Sequence, residues 1–201
     1  MTPPHLVYLH GFLSSPFSQK AQDIAVWMAE QHLADYFHCP QLPMEPVAAG
    51  QLIRETVEKL QGERICFVGS SLGGYFATWA VEEFGGRAVL INPAVKPYEQ
   101  LKHYIGPQRN YQTGELYSIE PGFADALRAY DRVPTDPSRY WLLTQTDDEV
   151  LDYREAVTKF AACRQTIEPG GNHGFVDFPR WLPEIWAFAN QTADATLKET
   201  P

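Results

Sequence analysis

A chain of 201 residues with 44% apolar and 13% aromatic content can fill one large core, so a single domain over 1–201 is expected. The formal charge of −9, from 25 acidic and 16 basic residues with no basic cluster, argues against nucleic acid or an anionic membrane as partner. It does not advertise an anionic substrate either, although a basic patch confined to a pocket would escape such a count. No apolar run reaches the length of a membrane span, and the start M-T-P-P-H lacks a signal-like block, which leads to the expectation of a cytoplasmic protein. Cys39, Cys66 and Cys163 are odd in number and lack C-x-x-C spacing, so they read as reduced, buried thiols, and no metal or cofactor is expected.

His5 to His10 reads as a first buried strand running into the loop Gly11-Phe12-Leu13-Ser14-Ser15. Ser15-Pro16 then suggests a helix start, with Phe17, Ala21, Ile24, Ala25 and Met28 on one face. Tyr36 to Leu42 suggests a second strand, and Ala49, Leu52, Ile53, Thr56 and Leu60 the inner face of a second helix. Ile65 to Val68 is a short continuous apolar run, as expected of a strand buried on both faces of a parallel sheet. A helix carrying Leu72, Phe76, Trp79, Ala80 and Phe84 follows at once and stops at Gly85-Gly86. Residues 87–93 give a further strand.

From Ala94 to about Pro137 the alternation fails, and five prolines are interleaved with aromatic residues that include His103, Tyr104, Tyr111 and Phe123. A segment this long without regular structure but rich in aromatics is expected to pack as a cap over the strand ends. Tyr140 to Thr144 resumes as a strand. A helix with Tyr153, Ala156, Val157, Phe160 and Ala161 on one side follows, then a last strand over 163–168 and a closing helix through Trp181, Leu182, Ile185 and Ala189, with a frayed tail from Thr192. The strand and helix alternation predicts an α/β fold with a mostly parallel sheet, right-handed crossovers and helices on both faces. Sites in such sheets lie beyond the carboxyl ends of the strands.

Between the central strand and its helix stand Gly69, Ser71 and Gly73, a G-x-S-x-G pattern. A strand that reverses into a helix within two residues forces its central residue into strain and requires neighbours without bulk. Ser71 is the candidate nucleophile, and the Leu72 amide points toward any oxyanion formed beside it. A serine hydroxyl needs a base, and the base an orienting carboxylate. His173, in the loop G-G-N-H-G-F after the last strand, is the candidate base; Asp148, with Asp147 as competitor, is the candidate acid. Glu149 and Asp152 are assigned to the start of the following helix. The turn His10-Gly11-Phe12 can bring the Phe12 amide to the serine as second oxyanion donor, with His10 bracing the loop.

Together H-G-F-x-S-S-P, G-S-S-L-G-G, I-N-P-A, T-Q-T-D-D-E-V-L-D-Y and G-G-N-H-x-F resemble the small bacterial esterases of the YqiA type, within the α/β-hydrolase superfamily. The resemblance spans nearly the whole chain. It implies an α/β-hydrolase fold trimmed to about six strands and puts the family's serine, aspartate and histidine on Ser71, Asp148 and His173. It further implies hydrolysis of carboxylic esters, with acyl-CoA thioesters as an associated substrate class. Relatives tend to have glycine just before the acid, where this chain has Asp147, a residue that tolerates a left-handed turn. The expectation is therefore a cofactor-independent serine esterase acting on a small-molecule ester or thioester through an acyl-enzyme. A catalytically silent binding or scaffold protein on the same fold, or another hydrolytic reaction, are the competing readings; oligomeric state is left open.

Overall fold

The computed structural model describes residues 2–110 and 113–191. Tyr111 and the tail from Thr192 lie outside the described residues. The chain runs through β1 (His5–Leu9), α1 (Gln19–Glu30), β2 (Phe37–His38), α2 (Pro46–Lys59), β3 (Ile65–Ser70), α3 (Leu72–Phe84) and β4 (Arg87–Ile91). After α4 (Pro97–Gln100), β5 (Gly106–Arg109), β6 (Leu116–Ile119) and α5 (Phe123–Arg128) come β7 (Tyr140–Gln145), α6 (Tyr153–Lys159), β8 (Arg164–Glu168) and α7 (Leu182–Asn190).

Six strands form one sheet in the order β2-β1-β3-β4-β7-β8, every pair parallel. Alternate residues of each strand go to opposite faces, as the two-residue period requires. Val7, Phe67, Leu90 and Leu142 pack on one side with α2, α3, α5 and α6, whereas Tyr8, Val68, Ile91 and Leu143 pack on the other with α1 and α7. Because both faces are covered, the central strands read as unbroken apolar runs in the sequence. The order reverses between β1 and β3, so the loops leaving these two neighbours diverge at their carboxyl ends.

Several boundaries differ from expectation. α1 begins at Gln19 with Ser18 as N-cap, and Ser15 accepts the Phe17 N–H at 3.1 Å instead of starting the helix. Phe17 thus falls outside the helix and is exposed, not on its inner face. β2 is only two residues because the preceding 3₁₀ turn, Ala34–Tyr36, occupies the start of the predicted strand. Ala161 lies past the end of α6 and is exposed. Pro183 stands in the first turn of α7, where its missing N–H costs nothing, and a 3₁₀ turn over Phe178–Trp181 leads into it. Of the cysteines, only Cys66 is buried; Cys39 and Cys163 are half-buried, and all three are free.

The segment 94–137 is more ordered than its sequence suggests. It contains α4, a 3₁₀ turn over Leu101–Tyr104, the antiparallel pair β5-β6 and α5. The Tyr75 hydroxyl on α3 donates to the Leu127 carbonyl at 2.8 Å, and the Asn110 amide donates to the Ser14 carbonyl at 2.9 Å. The Phe12 ring meets Tyr104 and Phe123 edge-on at centroid distances of 5.5 and 6.0 Å. The segment is therefore seated on α3 and on the loop after β1. No helix among the described residues is long and apolar enough to cross a membrane.

Candidate active site

Ser71 sits between β3 and α3 with φ 56° and ψ −122°, a left-handed conformation that a residue with a Cβ adopts only under constraint. The constraint is visible in its bonds: its N–H donates to the Ile91 carbonyl at 3.1 Å, and its carbonyl accepts from Gly74 and Ala94, both at 3.0 Å. Two close backbone approaches explain the flanking glycines. A Cβ on Gly69 would collide with the Gly73 carbonyl, and a Cβ on Gly73 would lie inside the Leu9 carbonyl at the end of β1.

The loop after β1 comes up against the serine. A Cβ on Gly11 would stand 3.2 Å from Ser71 Cβ and 3.7 Å from its Oγ. His10, almost fully buried, holds this loop: its Nδ1 donates to the Gly11 carbonyl at 3.0 Å, and its Nε2 accepts the Leu42 N–H at 3.0 Å. One nitrogen must donate and the other accept, so the ring is neutral, and burial pushes its pKa below the ordinary 6.5. Among the described residues no acceptor takes the N–H of Phe12 or of Leu72.

At the far edge, His173 Nδ1 lies 2.9 and 2.8 Å from the two carboxylate oxygens of Asp148. The Asp148 side chain is 1% exposed against 23% for His173, so the carboxylate stands behind the ring and the imidazole faces outward. Asp148 Oδ1 also accepts the Val150 and Leu151 N–H groups at 2.9 Å. A carboxylate only accepts, so Nδ1 carries the proton and donates to it, which leaves the lone pair on Nε2. Asp147 is exposed and pairs with Thr146 Oγ1 at 3.2 Å, while its own N–H donates to Gly170. Its φ is not positive, so the turn does not call on the left-handed tolerance anticipated for it.

Glu149 corrects the sequence reading. It does not cap the following helix, a place taken by Asp152, which accepts the Arg154 N–H at 3.0 Å. Glu149 Oε2 instead accepts the main-chain N–H of His173 at 2.9 Å, a bond that lowers its pKa. Two further residues escaped notice. Asn92, buried just after β4, donates to the carbonyls of Asn172 and His173 and accepts from Thr144 Oγ1 and the Gln145 N–H. Gln145, buried at the end of β7, accepts the N–H groups of Asn172 and Val176 and donates to the Val176 carbonyl. A polar residue directly after an apolar strand was the available signal, and I-N-P-A contains it.

Ser71, Leu72, Phe12 and His173 line one cavity of about 510 Å³, together with Pro97, Leu101 and Tyr104. No hydrogen bond joins Ser71 to His173 among the described residues; they share the cavity. His103 is exposed and does not line it. The parallel six-stranded sheet, the strained serine turn after β3 and the aspartate and histidine after β7 and β8 define a protein of the α/β-hydrolase fold. Three solved structures are similar. Est1E from Butyrivibrio proteoclasticus superposes with a TM-score of 0.67 at 13% identity, over 93% of this chain and 87% of that one. Mouse alpha/beta hydrolase domain-containing protein 10 gives 0.66 at 16%, over 92% and 88%. The monoacylglycerol lipase of Paleococcus ferrophilus gives 0.58 at 16%, over 93% of each chain. At these identities the likeness is one of fold. Residues 5–190 match the family described as "Uncharacterised protein family (UPF0227)"; the chain belongs to that family, the YqiA family of the α/β-hydrolase superfamily.

Proposed function

We propose that the protein is a serine esterase, with Ser71 as nucleophile, His173 as general base and Asp148 as the carboxylate that orients it. The observation that carries this reading is the Asp148–His173 pair, with Nδ1 held on the carboxylate, facing the cavity into which the strained Ser71 turn opens. His173 Nε2 takes the Ser71 hydroxyl proton as Oγ bonds to the ester carbonyl carbon. The amides of Phe12 and Leu72, both without acceptors among the described residues, supply the oxyanion donors. The tetrahedral intermediate expels the alcohol, which leaves with the proton from Nε2. Water, deprotonated by the same nitrogen, then releases the acid and restores Ser71.

Carboxylic esters are the proposed substrates, and thioesters pass through the same intermediates with a thiol as leaving group. Residues 94–137 act as a cap in this reading, since Ala94, Pro97, Leu101 and Tyr104 line the cavity that holds Ser71. The three free cysteines fit a reducing, cytoplasmic setting. The test is labelling with a fluorophosphonate followed by peptide mass analysis. One adduct on Ser71, abolished in Ser71→Ala, is expected; absence of any adduct while the neutral ester phenyl acetate is still hydrolysed would refute Ser71 as nucleophile.

A further inference from the structure

Lys20 is a cation placed against local preference. It stands in the first turn of α1, directly after Gln19, where the helix dipole disfavours a cation. It is half-buried, and among the described residues no carboxylate lies within ion-pair distance, although the charges of Asp23 and Asp148 favour its ionised form from farther off; Asp23, one turn on, is bound by the Gln19 amide at 2.7 Å. Burial pushes its pKa down to about 8. Among the described residues its ammonium has one hydrogen-bond partner, the Gly174 carbonyl at 2.8 Å, which leaves two N–H groups for solvent or a ligand. A cation placed against local preference beside a reactive cavity is a position to test for ligand contact.

What surrounds Lys20 indicates its missing partner. It lines the same cavity as Ser71 and His173, and no Asp or Glu lines that cavity among the described residues, although the chain carries a charge of −9. Beside it are Ser14 and Ser18. Ser18, nine-tenths buried and the N-cap of α1, makes no capping bond and turns its hydroxyl toward the Tyr8 hydroxyl, which lines the same cavity. The same lining includes the apolar side chains of Pro97 and Leu101 and the Tyr104 ring, so the cavity joins one cation to apolar surface. We propose that the end formed by Lys20 and Ser18 binds a carboxylate of the substrate, so that the preferred ester carries a second, ionised carboxyl group within a few atoms of the scissile carbonyl. This deepens the esterase reading and rests on it.

The test compares kcat/KM for matched pairs: monophenyl adipate against phenyl hexanoate, which places the carboxylate on the acyl side, and 4-acetoxybenzoate against phenyl acetate, which places it on the leaving group. In Lys20→Met the anionic-to-neutral ratio is expected to fall about 10- to 100-fold in one pair, and Lys20→Arg to recover part of it; the pair affected identifies the side. If Lys20→Met leaves both ratios unchanged, including by slowing all four esters equally through the Gly174 contact, the inference is overturned. Calorimetry on the Ser71→Ala protein reads binding without turnover. Affinity for one of the two anionic esters should weaken about 10- to 100-fold on adding Lys20→Met, and equal affinity for both would overturn the subsite. Undiminished turnover by Ser71→Ala would instead refute the esterase mechanism, while the Lys20 ratios would still decide the subsite.

Discussion

Asn92 and His173 are joined through the main chain: the Asn92 side-chain amide donates to the His173 carbonyl at 3.2 Å and to the Asn172 carbonyl at 3.0 Å. The other side of that amide accepts from Thr144 Oγ1 at 3.1 Å and from the Gln145 N–H at 3.0 Å. Two residues further on, Ala94 donates to the Ser71 carbonyl. The short segment after β4 therefore ties the serine turn, the strand leading to Asp148 and the histidine loop into one unit.

Replacing Asn92 tests that linkage. Asn92→Ala leaves several buried partners unmatched and strains a position at φ 40°, and should cost about 2–4 kcal/mol of stability. Asn92→Gly removes the same bonds without the strain, so it should denature later than Asn92→Ala in urea. In both, kcat should fall more than KM rises, because the histidine loop loses its anchor and the cavity wall does not. A variant with native kcat would show that the loop holds without Asn92.

The two adjacent carboxylates are separated by substitution. Asp148→Asn should lower kcat by about 1,000- to 10,000-fold, since the amide no longer fixes the proton on His173 Nδ1. Asp147→Asn, whose side chain reaches Thr146 and not the ring, should stay within about threefold of the parent. Steady-state rates on one ester decide this, and the reverse ranking would move the acid to Asp147.

Gly73→Ala should fail through packing before chemistry. The added Cβ would overlap the Leu9 carbonyl, a backbone group at the end of the interior strand β1 that cannot swing aside. A loss of about 3 kcal/mol or more is expected, read as a lowered urea midpoint or as insoluble protein. A midpoint equal to that of the parent would mean that β1 and α3 are farther apart than described.

His10 sets an acid limit. Its folded pKa lies below the ordinary 6.5, so below pH 6.5 the unfolded chain binds a proton that the folded ring refuses. The stabilising contribution of the neutral ring is complete above pH 6.5 and is lost as pH falls from there toward the folded pKa. Protonation would set an N–H against the Leu42 N–H. The urea midpoint should therefore drop between pH 7 and pH 5, and drop less in His10→Gln; equal slopes would assign the acid sensitivity to other groups.

The sequence by itself determined the layered α/β architecture, because strands covered on both faces must be continuous apolar runs and the helices between them must carry an apolar stripe. It also determined where Ser71 stands, since a turn that tight requires glycines at fixed spacing. Asp148 and His173 were legible from position, each following a strand that has to end at the same sheet edge. What only the tertiary structure decided are relations between segments distant in the chain. Glu149 reads from the sequence as an acidic residue at the start of a helix and instead holds the His173 N–H, 24 residues away. Asn92 bonds 80 and 81 residues away, and Lys20 meets the Gly174 carbonyl 154 residues away. Local pattern specifies which residues face inward; contacts between distant segments exist only once those segments are packed.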